Sequence, residues 1–228
     1  MPRPNRGRPA TAVEISKSVT TAVPASPRVM TAAAMFGLGV DESHRLEIVP
    51  RSRIALPAGG VVFITGPSGG GKSTVLHLIM HACAHRRRPV IAVDDQPLPP
   101  DLPLVDALCA DEDFDRCVSL LALVGLADAF VMLRRPAELS DGQRCRLRIA
   151  QAIDAAARHS SAVIVIDEFG ATLDRITARN IARSLRRWVS STRHTFVCAT
   201  THDDLLEPLQ PDVLVYKGLG GEMEVIER

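Results

Sequence analysis

Apolar residues fall along this chain in short unbroken runs separated by longer amphipathic stretches. The runs are Val61-Val62-Phe63-Ile64-Thr65, Val90-Ile91-Ala92-Val93, Ala162-Val163-Ile164-Val165-Ile166, Thr195-Phe196-Val197-Cys198-Ala199 and Val213-Leu214-Val215-Tyr216. Runs of this length without alternation suit strands buried on both faces of a mainly parallel sheet. Between them, Thr74 to His85, Gln143 to Arg158 and Ile176 to Val189 have helical length. In the last, Ile181, Leu185 and Trp188 share one helical face, with Arg179, Arg183, Arg186 and Arg187 elsewhere on the cylinder. Strands alternating with helices predict a layered α/β domain. Residues 97–142 show helical periodicity around Phe114, Val118 and Leu121 and no convincing strand, which predicts a helical insertion. The first thirty residues carry Pro2, Pro4, Pro9, Pro24 and Pro27, five basic residues and only Glu14 as an acid. They read as a flexible basic tail over 1–30, leaving the folded domain to 31–228.

Composition excludes several classes of function. Hydrophobic residues make up 46% and charged residues 23%, an ordinary globular balance. The net charge of +1, from 27 basic and 26 acidic residues, excludes a general nucleic-acid coat. No apolar run approaches the roughly 18–20 residues of a membrane span, so any transport role requires a separate membrane partner. The five cysteines include no C-x-x-C pair and read as reduced thiols of a cytoplasmic protein. The basic start lacks the apolar stretch of a signal peptide.

The chemistry concentrates in two places. Gly66-Pro67-Ser68-Gly69-Gly70-Gly71-Lys72-Ser73 fits G-x-x-x-x-G-K-[ST] directly between a predicted strand and a predicted helix that continues through Thr74. In that context the loop amides and the positive end of the helix dipole cradle phosphate. Lys72 then reaches the β- and γ-phosphates of a nucleotide, and the Ser73 hydroxyl ligates Mg²⁺. The second place is Asp167-Glu168, at the carboxyl end of the Val163–Ile166 run, where α/β sheets put their ligands. Asp167 is the candidate Mg²⁺ holder and Glu168 the candidate general base for attack by water.

Between these sites stands Leu139-Ser140-Asp141-Gly142-Gln143. It resembles the L-S-G-G-Q signature of the ATP-binding-cassette (ABC) ATPases, with Asp141 in place of the first glycine. The order phosphate loop, Gln, signature, Asp-Glu, Leu-Asp, His over residues 35–217 is that of this superfamily. The resemblance implies a P-loop NTPase (RecA-like) core with a mainly parallel sheet, an N-terminal antiparallel β portion and a short helical insertion. It implies ATP and Mg²⁺ as cofactors and a head-to-tail homodimer closing around two nucleotides. Gln96, 24 positions beyond Lys72, matches the glutamine that touches metal and attacking water. Ser140, Gly142 and Gln143 match the signature that meets the γ-phosphate held by the opposite protomer. Asp174, in Ala171-Thr172-Leu173-Asp174, matches the D-loop acid reaching across the dimer, and His202 the switch histidine on the γ-phosphate. Phe36 is the candidate adenine platform, with Arg45 as its alternative.

Departures bear on the role. Asp141 sets a carboxylate beside a γ-phosphate site. Phe169 and Gly170 stand where transporter subunits carry Pro and Thr after the catalytic acid. The 43 positions from Gln96 to Leu139 are short for a subdomain that docks membrane helices. These features lean toward a stand-alone ATPase with an unidentified protein partner. An ATP-binding subunit with a separate membrane partner, and an ATP-gated clamp on nucleic acid, are the alternatives. His77, His81 and His85 at helical spacing read as a solvated face ahead of a zinc site. Arg86-Arg87-Arg88 and the arginines from Arg179 to Arg187 likewise read as solvated charge ahead of a nucleic-acid contact.

Overall fold

The computed structural model describes residues 10–21, 26–37, 44–99, 101–108 and 113–228. In chain order its strands and α-helices are β1 (Ala10–Thr21), α1 (Pro27–Met35), β2 (His44–Pro57), β3 (Val61–Thr65), α2 (Lys72–His85), β4 (Val90–Ala92), α3 (Leu104–Ala107), α4 (Phe114–Leu123), α5 (Ala129–Met132), α6 (Asp141–Ala157), β5 (Val163–Ile166), α7 (Arg175–Ser190), β6 (Thr195–Ala199), α8 (Leu206–Leu209), β7 (Val213–Lys217) and β8 (Met223–Glu227). The main sheet has the order β4-β5-β6-β3-β7-β8, parallel throughout except for β8, which runs antiparallel to β7. β1 and β2 form a separate antiparallel sheet. This is the P-loop NTPase layout that the strand runs and the family resemblance predict.

Side-chain alternation along the strands divides the interior into two cores, one on each face of the sheet. Val61 and Phe63 point to a core completed by Leu121 of α4, Leu147 and Ile153 of α6, and Ile181 and Leu185 of α7. Val62 and Ile64 point the other way, to Val75, Leu76 and Ile79 of α2. That second core is closed by Val13 and Ile15 of β1 and Ile54 and Leu56 of β2. α2, which carries Lys72 and Ser73, is therefore gripped between the two sheets.

The flexible tail expected over 1–30 does not hold for residues 10–21, which are β1, nor for residues 27–30, which open α1; residues 1–9 lie outside the described residues. Val13 and Ile15 alternate with exposed Glu14 and pack into the core, so two buried side chains hold the strand. In the insertion, α4 buries Cys117, Leu120 and Leu121 while Phe114 is exposed, so the apolar face is rotated from the expected one. Trp188 is only half-buried and stacks on His194, with ring centroids 5.5 Å apart.

Buried polar groups tie the layers together. Asp212 accepts from the Val61 amide at 2.8 Å and from Arg186 at 2.6 Å, joining the start of β3 to α7. The His194 ring accepts the Ala162 amide at Nδ1, 3.0 Å away, joining the entries to β5 and β6. Burial, then the charges of His159 and Arg88, hold the His194 pKa below its ordinary value. A depressed folded-state pKa means the unfolded chain binds the proton more readily, so this contribution to stability is complete above about pH 6.5 and is lost as pH falls toward the folded-state value. Urea unfolding between pH 7.5 and 5 is expected to show stability falling through that window. His194→Gln is expected to flatten the fall, and an unchanged slope would remove His194 as its source.

Candidate functional site

The phosphate loop leaves the carboxyl end of β3 and passes directly over the β7–β8 turn. Gly66 has φ +137°, and a Cβ there would stand 2.0 Å from the Lys217 carbonyl oxygen, so only glycine fits. The first turn of α2 has no side-chain cap, which leaves its amide donors free for an anion. Lys72 lies back along the loop, donating from Nζ to Pro67 O at 2.8 Å and Gly66 O at 3.1 Å.

Asp167 and Glu168 follow β5 as the run of apolar residues predicts. Glu168 has φ +48°, a left-handed conformation that a long side chain rarely adopts. The turn is pinned from both sides. The Glu168 amide donates to Asp167 Oδ1 at 3.0 Å. Phe169, fully buried, packs edge to face on Phe196 with centroids 5.9 Å apart. Its amide donates to Ala199 O at 2.9 Å, and its carbonyl accepts the Thr200 hydroxyl at 2.8 Å. Phe169 thus anchors the Asp167-Glu168 turn to the end of β6. The same Thr200 hydroxyl accepts the His202 amide at 3.1 Å, placing His202 beside the acids. Thr65, at the end of β3, donates to Asp203 at 2.7 Å and fixes the other side of that loop.

These elements enclose a cavity of about 400 Å³. Ser68, Gly69, Gly71, Lys72, Ser73 and Thr74 line one wall; Asp167, Glu168 and His202 line the other, with Thr200 and Thr201. Gly66, Pro67 and Gly70 of the same loop are not among the lining residues. The uncapped amides, the glycine cradle and Lys72 suit a polyphosphate, and a hydroxyl with a carboxylate on facing walls suits Mg²⁺, a hard cation that takes oxygen donors. The structure therefore brings together Lys72, Ser73, Asp167, Glu168 and His202.

Gln96 is not among the lining residues. The chain turns back after β4, with the Gln96 amide on Val93 O at 3.1 Å, and its side chain donates to Ala92 O at 2.8 Å. Asp94 stands nearer the acids, accepting the Asp167 amide at 3.4 Å. Phe36 ends α1 with 78% of its surface exposed and does not line the cavity; the Arg45 side chain lies outside the described residues.

The signature residues build a different surface. Ser140 is the N-cap of α6: its hydroxyl accepts the Gln143 amide at 3.2 Å, while Gln143 Oε1 accepts the Ser140 amide at 3.0 Å. Gly142 is pressed against the D-loop, and a Cβ there would lie 2.9 Å from Thr172 O. Asp141 forms an ion pair with Arg144 at 2.6 Å, so its charge is matched on its own helix. Asp174 is the N-cap of α7, and its hydrogen bonds from Thr177 hold its carboxyl below the ordinary range. A second cavity of about 550 Å³ runs between Asp141, Arg144 and Arg148 on one side and Asp94, Asp167 and Glu168 on the other. Ser140, Gln143 and Asp174 line neither cavity.

Sequence reasoning passed over Asp94, Thr200 and Lys217. Asp94 and Asp167 follow neighbouring parallel strands, a signal available from strand order. Thr200 stands two residues before His202, the histidine that the resemblance singles out. Lys217, fully buried with Nζ on Gly218 O and Gly220 O, carries no motif.

The model of the AAA domain family matches residues 57–207. Among curated proteins, the lipoprotein-releasing system ATP-binding protein LolD of Rhodopseudomonas palustris (strain BisB5) is 28% identical, over 78% of this chain and 89% of that protein. The macrolide export ATP-binding/permease protein MacB of Burkholderia pseudomallei (strain K96243) is 28% identical over 66% of this chain and 27% of its own length. Among solved structures, the dimeric structure of MJ0796, a bacterial ABC transporter cassette, superposes with a TM-score of 0.64 at 19% identity, covering 94% of this chain and 98% of that one.

Because Phe169 fills a closed space against Phe196, Phe169→Ala is expected to cost about 3–5 kcal/mol in urea unfolding. A loss below about 1 kcal/mol would show that the Asp167-Glu168 turn does not depend on this anchor.

Proposed function

The chain belongs to the AAA domain family, as an ATP-binding-cassette ATPase, and on that premise we propose that it binds and hydrolyses Mg·ATP between two copies arranged head to tail. The observation that carries this is the convergence of Lys72, Ser73, Asp167, Glu168 and His202 on one cavity while Ser140 and Gln143 line none. One copy supplies half a site, and the Ser140 turn of a second copy supplies the rest.

Each residue has a task. The loop amides and Lys72 bind the β- and γ-phosphates and offset charge that grows in the transition state. Ser73 and Asp167 would hold Mg²⁺, which would supply further neutralisation of phosphate charge. Glu168 takes the proton of a water attacking the γ-phosphorus in line, as the bond to the bridging oxygen breaks and ADP departs. His202 steadies the γ-phosphate from the end of β6. Across the interface, the Ser140 and Gln143 donors at the start of α6 meet the same phosphate, and Asp174 makes the cross-dimer contact. Arg144 offsets Asp141, which removes the repulsion that this departure from the signature introduces. Gln96 reaches metal and water only after its bond to Ala92 O is exchanged.

The curated relatives favour a separate membrane partner over a stand-alone enzyme, because LolD is by name the ATP-binding protein of a lipoprotein-releasing system and MacB a macrolide export ATP-binding/permease protein. Among the described residues no helix is long and apolar enough to cross a membrane. The helical insertion presents exposed Phe114, Phe130 and Leu133, apolar surface of the kind a partner covers. The proposed place of action is therefore the cytoplasmic side of a membrane-bound partner.

Lys72→Ala is expected to abolish ATP binding in a fluorescent-nucleotide titration. Glu168→Gln is expected to bind ATP, to run as a dimer in light scattering and to lose about 10²–10⁴-fold in turnover. Near-normal turnover by Glu168→Gln would remove it as the base. Capture of a polytopic membrane protein by that trapped dimer from solubilised membranes supports the transport reading; recovery of the dimer alone supports the stand-alone one.

A further inference from the structure

The parallel strands have a second end. Where the nucleotide cavity lies at their carboxyl ends, the turns that feed them converge on a separate cleft of about 260 Å³. Arg88 precedes β4, Ser160 and Ser161 precede β5, Arg193 precedes β6, and Ala58 precedes β3. Thr11 of β1 and Leu56 of β2 complete the lining. Strands of four and five residues at about 3.3 Å each put roughly 13–17 Å of sheet between this cleft and the phosphate loop.

The lining is one-sided in charge. Among the described residues it includes two arginines and no acidic residue. Arg88 is held in place: Nη2 donates to the Thr195 hydroxyl at 2.7 Å, and that buried hydroxyl donates in turn to Pro57 O at 2.8 Å. Its other terminal nitrogen, Nη1, is buried and has no acceptor among the described residues. Burial pushes the Arg88 pKa down, and the one influence opposing it is the Cys83 thiol, not an acid. A desolvated cation with an unused donor costs free energy unless an anion or water meets it. Ser161 donates to Arg193 O at 3.1 Å, tying together the turns before β5 and β6 that carry Ser160 and Arg193.

The same arginine had a blander reading in the sequence, as one of three in a row on a solvated face. The structure separates them. Arg86 is spent on the Ala12 carbonyl, and Arg87 is exposed with φ +54°. Arg88 alone turns inward to line the cleft.

We propose that this cleft binds a phosphate group, as free phosphate or as a small phosphomonoester, between the Arg88 and Arg193 guanidinium groups. Arginine suits the task because it keeps its charge and carries several N–H donors for a tetrahedral oxyanion. Ser160 and Thr11 contribute hydroxyls at the mouth. The concave shape admits one such group with a small substituent, and it is independent of the nucleotide site and of the function assigned to it.

The test is calorimetric titration of the full chain, saturated with Mg·AMP-PNP, with inorganic phosphate and separately with glycerol 3-phosphate at low ionic strength. One equivalent of phosphate or ester is expected to bind beyond the nucleotide. Arg193→Glu, a change at an exposed residue, is expected to weaken it by about tenfold or more, as is Arg88→Met. Since Arg88 touches buried Thr195, a folding failure in that variant leaves Arg193→Glu to decide. Tighter binding of inorganic phosphate assigns the site to the free anion, and tighter binding of the ester assigns it to a phosphomonoester. Absence of binding by both ligands, or equal affinity in Arg193→Glu, overturns the proposal.

Discussion

The parallel register of β3, β6 and β5 is the constraint on which the site depends. It sets Ile64 beside Ala199 and Cys198 beside Ile166, so three strands end at one level. The residues that follow are then neighbours without being near in sequence: the phosphate loop after β3, Thr200 and His202 after β6, Asp167 and Glu168 after β5. The amide of Thr200, one residue past β6, donates back to Ile64 O at 3.0 Å, and that of Phe169, three residues past β5, donates to Ala199 O, so the turns after the strands are tied to neighbouring strand ends. A slip in either pair would carry the acids away from the loop and turn their side chains to the opposite face.

Around that edge the chain stores local strain and offsets it by packing. The left-handed Glu168 is followed at once by a phenylalanine with no exposed surface, and the interior holds a backbone conformation that the residue alone would avoid. Charge is arranged in the same economical way. Arg175 follows the D-loop acid and pairs with Asp204, two residues beyond His202, keeping that carboxyl below its ordinary range. The D-loop and the histidine loop are thereby joined by one ion pair, and Gly142 brings the signature turn into contact with the same D-loop. Signature, D-loop and histidine loop are mechanically one unit, which is how a second copy bound at one of them would be felt at the others.

Much of this was legible in residues alone. The unbroken apolar runs mark β3, β5, β6 and β7 because strands covered on both faces need no alternation. The phosphate loop and Asp167-Glu168 are readable because phosphate and metal chemistry demand particular residue types at particular spacings. β1 was not legible: Val13 and Ile15 are its buried apolar residues, and prolines around it suggested a tail. β2 and β8 were equally quiet, being strands with much polar surface. Gln96 matched a motif by order, yet the turn at Asp94-Asp95 directs it back to its own strand. Phe36 met a compositional expectation that the fold does not use at the cavity. Where Gln96 and Phe36 lie depends on where a turn points, and turn direction follows from tertiary contacts that spacing does not encode.

The central claim is that catalysis needs the phosphate loop of one copy and the Ser140 turn of another. A mixing experiment tests it most directly. Lys72→Ala disables one half-site and Ser140→Arg the other, and each variant alone is inactive on this account. Mixed, they form pairs in which one complete site joins the intact loop of the Ser140→Arg copy to the intact turn of the Lys72→Ala copy. The account predicts that ATP hydrolysis reappears on mixing. Full activity of Ser140→Arg alone, or a mixture as inert as its components, would contradict it.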